Sequence, residues 1–226
     1  MTILRQFHDR PSGRLAYLLA DTDRREAVII DPAPGEATLV LGLLDELRCR
    51  AVHVLLTHAH GPEIAGALEL REAAGARLVV GDRCPLDLPG TLRRVREGDT
   101  VVFGDEALRC RETPGHTRGC MTYLWRDRAF VGDLLPGYGA DAAEHGEEDP
   151  GSRYDSLVRK LLALPDETLV YPAHGIAGRR VTCVGEQRDA NPALTGASRD
   201  EFIAHQARAR QAVLIPTSMQ EARRHS

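Results

Sequence analysis

Four of the nine histidines and one aspartate share a position in this sequence: each lies where an expected strand ends. Val54-Leu-Leu-Thr leads into His58-Ala-His60, and Cys110-Arg-Glu-Thr leads into Pro114-Gly-His116. Ala129-Phe-Val-Gly leads into Asp133, and Val170-Tyr-Pro-Ala leads into His174. In an extended chain residues i and i+2 face the same side, so His58 and His60 can point at one ion. Imidazole nitrogens with a carboxylate oxygen suit zinc or iron, and no thiolate enters the pattern. A lone histidine after a strand is an ordinary hydrogen-bonded surface residue, which is the reading for His8, His53, His145, His205 and His225. The joint pattern is what points to a catalytic metal.

Such a cluster needs a scaffold that gathers strand ends. Short apolar runs at Leu15 to Ala20, Ala27 to Ile30 and Ala51 to Leu56 suit buried strands. Between them, residues from about Glu36 to Leu47 put Leu39, Leu43, Leu44 and Leu47 on one helical face. Pro62 suits the start of a helix that runs to Ala74 and is ended by Gly75, and Arg77 to Gly81 returns as a strand. Further strands are expected at 100–104, 107–111, 121–125 and 128–132, where β-branched and aromatic residues lie between turn signals. Pro136 to Gly151 reads as a long surface loop and a candidate rim for a substrate site. A helix from Tyr154 to Leu164, a strand from Thr168 to Tyr171 and a last helix from Ser198 to Ala212 complete the pattern. Strands interleaved with helices predict an α/β fold, two sheets enclosed by helices.

With 226 residues the chain is expected to form one domain over 1–226, with about 198–226 as a C-terminal helical extension. A net charge of -4 gives no electrostatic reason to expect nucleic acid or an anionic membrane as partner. No signal peptide is visible at the N-terminus, and no apolar stretch approaches the length of a membrane span. Cys49, Cys84, Cys110, Cys120 and Cys183 form no CxxC pair, so they read as scattered thiols in a reducing cytoplasm. Cys120 begins an apolar strand and reads as a buried structural thiol, and Asp31 as the residue that fixes the turn beneath the site.

Thr57-His58-Ala-His60, Pro114-Gly-His116-Thr117, Gly132-Asp133 and Tyr171-Pro-Ala-His174 together resemble the ordered signature of the metallo-beta-lactamase superfamily. Within it the chain is most similar to the persulfide dioxygenases and to the thiolester hydrolases called glyoxalase II. The likeness runs from Arg5-Gln-Phe to Asn191-Pro-Ala-Leu-Thr195. The resemblance implies an αββα sandwich with metal at the edge between the sheets. In the dioxygenases it implies one Fe(II) per chain on His58, His116 and Asp133, with zinc as the alternative ion. His60 and His174 would line the site or donate to bound water. In the hydrolases it implies a second metal: His60 also binds the first ion, Asp133 bridges, and His174 binds the second.

Two departures bear on the reaction. The family usually reads His-x-His-x-Asp-His, and here Pro62 stands at the aspartate and Glu63 at the second histidine. Proline offers no ligand atom, so a two-metal hydrolase is disfavoured and one-metal chemistry keeps its three ligands. After Asp133 the dioxygenases usually carry Gly-Cys-Gly-Arg-Thr-Asp, whereas this chain has Gly137-Tyr138-Gly-Ala-Asp141. The expected activity is oxidation of a low-molecular-weight thiol persulfide, such as glutathione persulfide, by O2. Thiolester hydrolysis is the alternative, and a degenerate member kept as a binding or scaffold protein is the third. The oligomeric state is left open, a homodimer among the options.

Overall fold

A computed structural model describes residues 1–59, 61–88, 92–136, 148–175 and 178–214. The first half builds one six-stranded sheet from β1 (Thr2–His8), β2 (Leu15–Asp21), β3 (Glu26–Ile30), β4 (Arg50–Leu55), β5 (Arg77–Gly81) and β6 (Leu92–Val95), in that spatial order. The first three strands are antiparallel and the rest parallel, with helices α1 (Ala37–Glu46) and α2 (Gly61–Ala74) making the crossovers from β3 to β4 and from β4 to β5. A second six-stranded sheet holds β7 (Thr100–Phe103), β8 (Glu106–Glu112), β9 (Met121–Trp125), β10 (Arg128–Gly132), β11 (Leu169–Pro172) and β12 (Thr182–Cys183). Helices α3 (Pro150–Ser156), α4 (Val184–Ala190) and α5 (Arg199–Leu214) follow in the second half.

The alternation of side chains along each strand explains the layering. On β2, Leu15, Tyr17 and Leu19 point between the sheets and meet Phe103, Met121, Tyr123 and Phe130. Their neighbours Ala16, Leu18 and Ala20 face the other way, with Val40 and Leu44 of α1 and Ala67 and Leu70 of α2. On the far side Ala129, Val131 and Val170 pack under Leu157, Leu161, Val184 and Phe202. A strand buried on both faces shows a continuous apolar run, as β2 does. The αββα sandwich expected from the sequence is the fold.

Several local expectations need correction. The helix expected at 154–164 starts earlier, at Pro150, where Asp149 caps it by accepting from Ser152 N at 3.1 Å. It then widens into a π-helical turn over Leu157–Leu161. Pro150 and Gly151 therefore belong to α3 and not to the loop; residues 137–147 of that loop, Tyr138 among them, lie outside the described residues. Strands β1, β6 and β12 and helix α4 were not anticipated. In β6 only Val95 is buried, and β12 is two residues long, so neither carries an apolar run. Among the described residues no helix is long and apolar enough to cross a membrane.

Candidate metal centre

The site forms where four strands end at one edge of the sandwich. His58 follows β4, His116 follows β8, Asp133 follows β10 and His174 follows β11. Gly132 ends β10 at φ +59, and a side chain there would collide with Thr57, so this glycine lets the Asp133 turn close on the His58 strand. Gly115 does the same for His116: at φ +143 it presses on the backbone of Arg153, where no side chain would fit.

His58, His116 and Asp133 are all buried, and one ligand atom from each lies within 4.8 Å of the other two. His58 Nε2 is 3.5 Å and His116 Nε2 3.8 Å from the same oxygen, Asp133 Oδ2. Ligands bound about 2.1 Å from one ion stand roughly 3.0–3.4 Å apart, so the three atoms need close only slightly to share a metal. The two imidazoles meet at 75° with ring centroids 5.3 Å apart, their Nε2 edges converging on that carboxylate. Two histidines and one carboxylate fit iron(II), and zinc shares the donor types.

Outer partners fix each ligand. Thr57 Oγ1 donates to Asp31 Oδ2 at 2.6 Å and lies 2.8 Å from His58 Nδ1. With the hydroxyl proton committed to Asp31, the oxygen accepts from Nδ1–H, leaving the Nε2 lone pair for metal. Thr57 N also donates to Asp31 Oδ1 at 2.8 Å, and Asp31 holds a left-handed φ of +50° at the end of β3. Burial pushes its carboxyl up to about 7 despite those two hydrogen bonds. On the other side His116 Nδ1 is 3.3 Å from Glu148 Oε1, which turns its Nε2 inward. Burial alone would raise the Asp133 carboxyl, but the imidazoles of His58, His174 and His116 outweigh it and hold it well below the usual range.

The remaining expected residues divide. His174 Nδ1 contacts Asp133 Oδ1 at 2.8 Å, so it grips the oxygen that does not face His58 and His116. Burial lowers the His174 pKa, but the hydrogen bond and charge of Asp133 outweigh that and leave it raised. His60 lies outside the described residues. Glu63 is no surface charge: it is 3 % exposed, and its Oε1 accepts from Arg14 Nε at 2.8 Å while standing 3.9 Å from His58 Nε2. That last distance is too long for a hydrogen bond to the histidine. Cys120 is buried and accepts from Thr117 N at 3.1 Å, and burial pushes its thiol up to about 11, consistent with a structural role.

Arg153 and Glu148 were not found by sequence reasoning. Arg153 is fully buried and donates to the carbonyls of Asp133 and Leu134, both at 2.9 Å, and of Leu135 at 3.0 Å. It thereby fixes the turn that carries Asp133. Glu148 lies 4.0 Å from Arg153 Nη1 and joins that guanidinium to His116. Beside Gly115 and Thr117, the chain neighbours of His116, opens a cleft of about 920 Å³ whose lining includes Arg83, Arg118, Glu148, Asp149 and Ser152.

Comparison with known proteins agrees with this architecture. The profile of the metallo-beta-lactamase superfamily matches residues 9–174. Human mitochondrial persulfide dioxygenase ETHE1 (Homo sapiens) is 36% identical over 206 residues, covering 89% of this chain and 79% of the relative. A hydroxyacylglutathione hydrolase of Cereibacter sphaeroides is 36% identical over 187 residues, covering 81% of this chain and 71% of the relative. The crystal structure of ETHE1 from Myxococcus xanthus superimposes with a TM-score of 0.84 at 36% identity, covering 95% and 92% of the two chains.

Proposed function

The chain belongs to the metallo-beta-lactamase superfamily and is an enzyme of its persulfide dioxygenase and hydroxyacylglutathione hydrolase branch; within that branch we propose that it is an iron-dependent sulfur dioxygenase acting on a low-molecular-weight thiol persulfide. The observation that carries this reading is Glu63. A two-metal hydrolase would need a second ion next to His58, and there the chain has a carboxylate already paired with the Arg14 guanidinium. Among the described residues, what is left is a one-ion set of two histidines and a carboxylate. The named activity of ETHE1, at 36% identity over most of the chain, favours the same choice.

Iron held by these residues would supply the one-electron chemistry that O2 requires. The overall change is RSSH + O2 + H2O → RSH + H2SO3, with both oxygen atoms of O2 on the former terminal sulfur. His58, His116 and Asp133 hold the ion; Thr57 with Asp31, and Glu148, set the imidazole tautomers; His174 and Arg153 orient the aspartate. His60 is proposed to line the site with His174. The cleft beside His116 has the volume of a small-ligand site, and its lining of two arginines with Glu148 and Asp149 suits a carrier that bears both carboxylates and an ammonium, such as glutathione.

The test is metal analysis of anaerobically purified protein paired with O2 uptake on glutathione persulfide. One iron per chain and one O2 consumed per persulfide are expected. Two zinc ions per chain with thiolester cleavage and no O2 uptake would establish the hydrolase instead.

A further inference from the structure

We propose that Arg14, held in place by Glu63, is a fixed cation of this site and binds the sulfur oxyanion that forms at the metal face. The identity of that anion rests on the persulfide-oxidising reading above; the cation site itself rests on geometry. Arg14 directly precedes β2, and its backbone is pinned at the site edge by an isolated antiparallel bridge to His174 and by Leu15 N donating to Ala173 O at 2.7 Å. Its side chain reaches the cluster through one carboxylate oxygen. Glu63 Oε1 is 2.8 Å from Arg14 Nε and 3.9 Å from His58 Nε2, so one carboxylate oxygen lies close to both the guanidinium and a ligand atom.

The pairing uses only the Nε corner of the fork. Among the described residues no hydrogen bond engages the two terminal nitrogens of Arg14, whose side chain is 24 % exposed while Glu63 is 3 % exposed. A guanidinium so anchored has lost much of its conformational freedom and still presents parallel N–H donors, the geometry that matches two oxygens of one anion. Preorganised donors near the reacting atom stabilise charge as it develops. The oxygens gained by the sulfur provide that charge, and they arise next to the metal ligands. A carboxylate of the thiol carrier, which would be held farther out along the cleft, is the competing source of an oxyanion.

Sulfite and S-methylglutathione separate these sources. Their binding is measured anaerobically by calorimetry on the metal-loaded and the metal-free protein, with elemental analysis of every sample. Arg14→Gln combined with Glu63→Gln removes both charges and keeps two hydrogen-bonding side chains of similar size. This double variant is expected to weaken sulfite by about tenfold or more in both metal states, the size of one charge-assisted hydrogen bond. It should leave S-methylglutathione within about twofold and metal content at the wild-type level, given that the ligand set is untouched. Arg14→Lys, with the charge but no fork, should fall between wild type and double variant for sulfite. Unchanged sulfite affinity in the double variant overturns the proposal, as does a loss confined to S-methylglutathione, which would put Arg14 under the carrier. Should the double variant fail to fold, Arg14→Lys decides, and sulfite binding equal to wild type overturns the proposal. Sulfite binding needs no turnover, so absent O2 uptake would refute the dioxygenase reading and leave this result standing.

Discussion

Replacing Thr57 by valine removes one oxygen atom at nearly constant volume, yet that oxygen links Asp31 to a metal ligand. The hydroxyl makes two buried contacts, 2.6 Å to Asp31 Oδ2 and 2.8 Å to His58 Nδ1. Among the described residues Asp31 would keep only its bond from Thr57 N at 2.8 Å, and its carboxyl, already pushed up to about 7 by burial, would lose an opposing hydrogen bond. A buried polar group that loses its partner costs about 1–3 kcal/mol, so two such losses predict roughly 2–6 kcal/mol of stability. The imidazole, no longer held in one tautomer, should lose roughly 10–100-fold in metal affinity. Thermal unfolding of the metal-free protein reads the first number, and competition with a chelator reads the second. Thr57→Ser keeps the hydroxyl and should stay near wild type in both. If Thr57→Val changes stability by less than about 0.5 kcal/mol and metal affinity by less than about twofold, the Asp31–Thr57–His58 chain does not orient the ligand and the argument fails.

Other perturbations probe the remaining parts. Asp133→Ala should abolish metal binding, whereas His174→Ala should keep most of the metal and lower turnover, since His174 touches the aspartate oxygen turned away from the other ligands. Equal metal loss in both, by elemental analysis, would make His174 a ligand. Arg153→Met should destabilise the fold by about 3–5 kcal/mol in chemical denaturation, because three carbonyls around Asp133 lose a buried cationic donor; a change under about 1 kcal/mol would deny it that role. Burial lifts the Cys120 thiol to about 11 and Cys110 to about 12, so between the ordinary value of 9.0 and those values the folded state keeps protons that the unfolded chain has released. Stability should therefore fall as pH rises through that window, and Cys183, less buried, should be alkylated before Cys120 at pH 8.

The candidate cluster was legible because its residues are tied to local signals: His58, His116, Asp133 and His174 each stand just past the end of a strand, and an α/β sandwich gathers those ends. What surrounds them was harder to read. Asp31 could be placed in a turn beneath the site, but its grip on Thr57 spans 26 positions and leaves no periodic trace. Arg153 and Glu148 belong to a Gly- and acid-rich stretch and the helix after it, where nothing local separates a buried guanidinium from a solvated one. Glu63 illustrates the limit best. Its spacing from His58 marks it as a substituted ligand, but whether the side chain faces solvent, a histidine or a cation depends on Arg14, brought in by a hairpin 49 residues away. Strand β1 was missed for a simpler reason: only Ile3 and Phe7 of its seven residues are buried.

The central claim is that this enzyme works with one ion, in a site where Glu63 and Arg14 stand in place of a second. Anomalous scattering at the iron edge, from crystals of anaerobically prepared protein, tests that claim most directly. A single peak among His58 Nε2, His116 Nε2 and Asp133 Oδ2, with Glu63 still bonded to Arg14, is the predicted result. A second metal peak bound by Glu63, with Arg14 swung away, would contradict it.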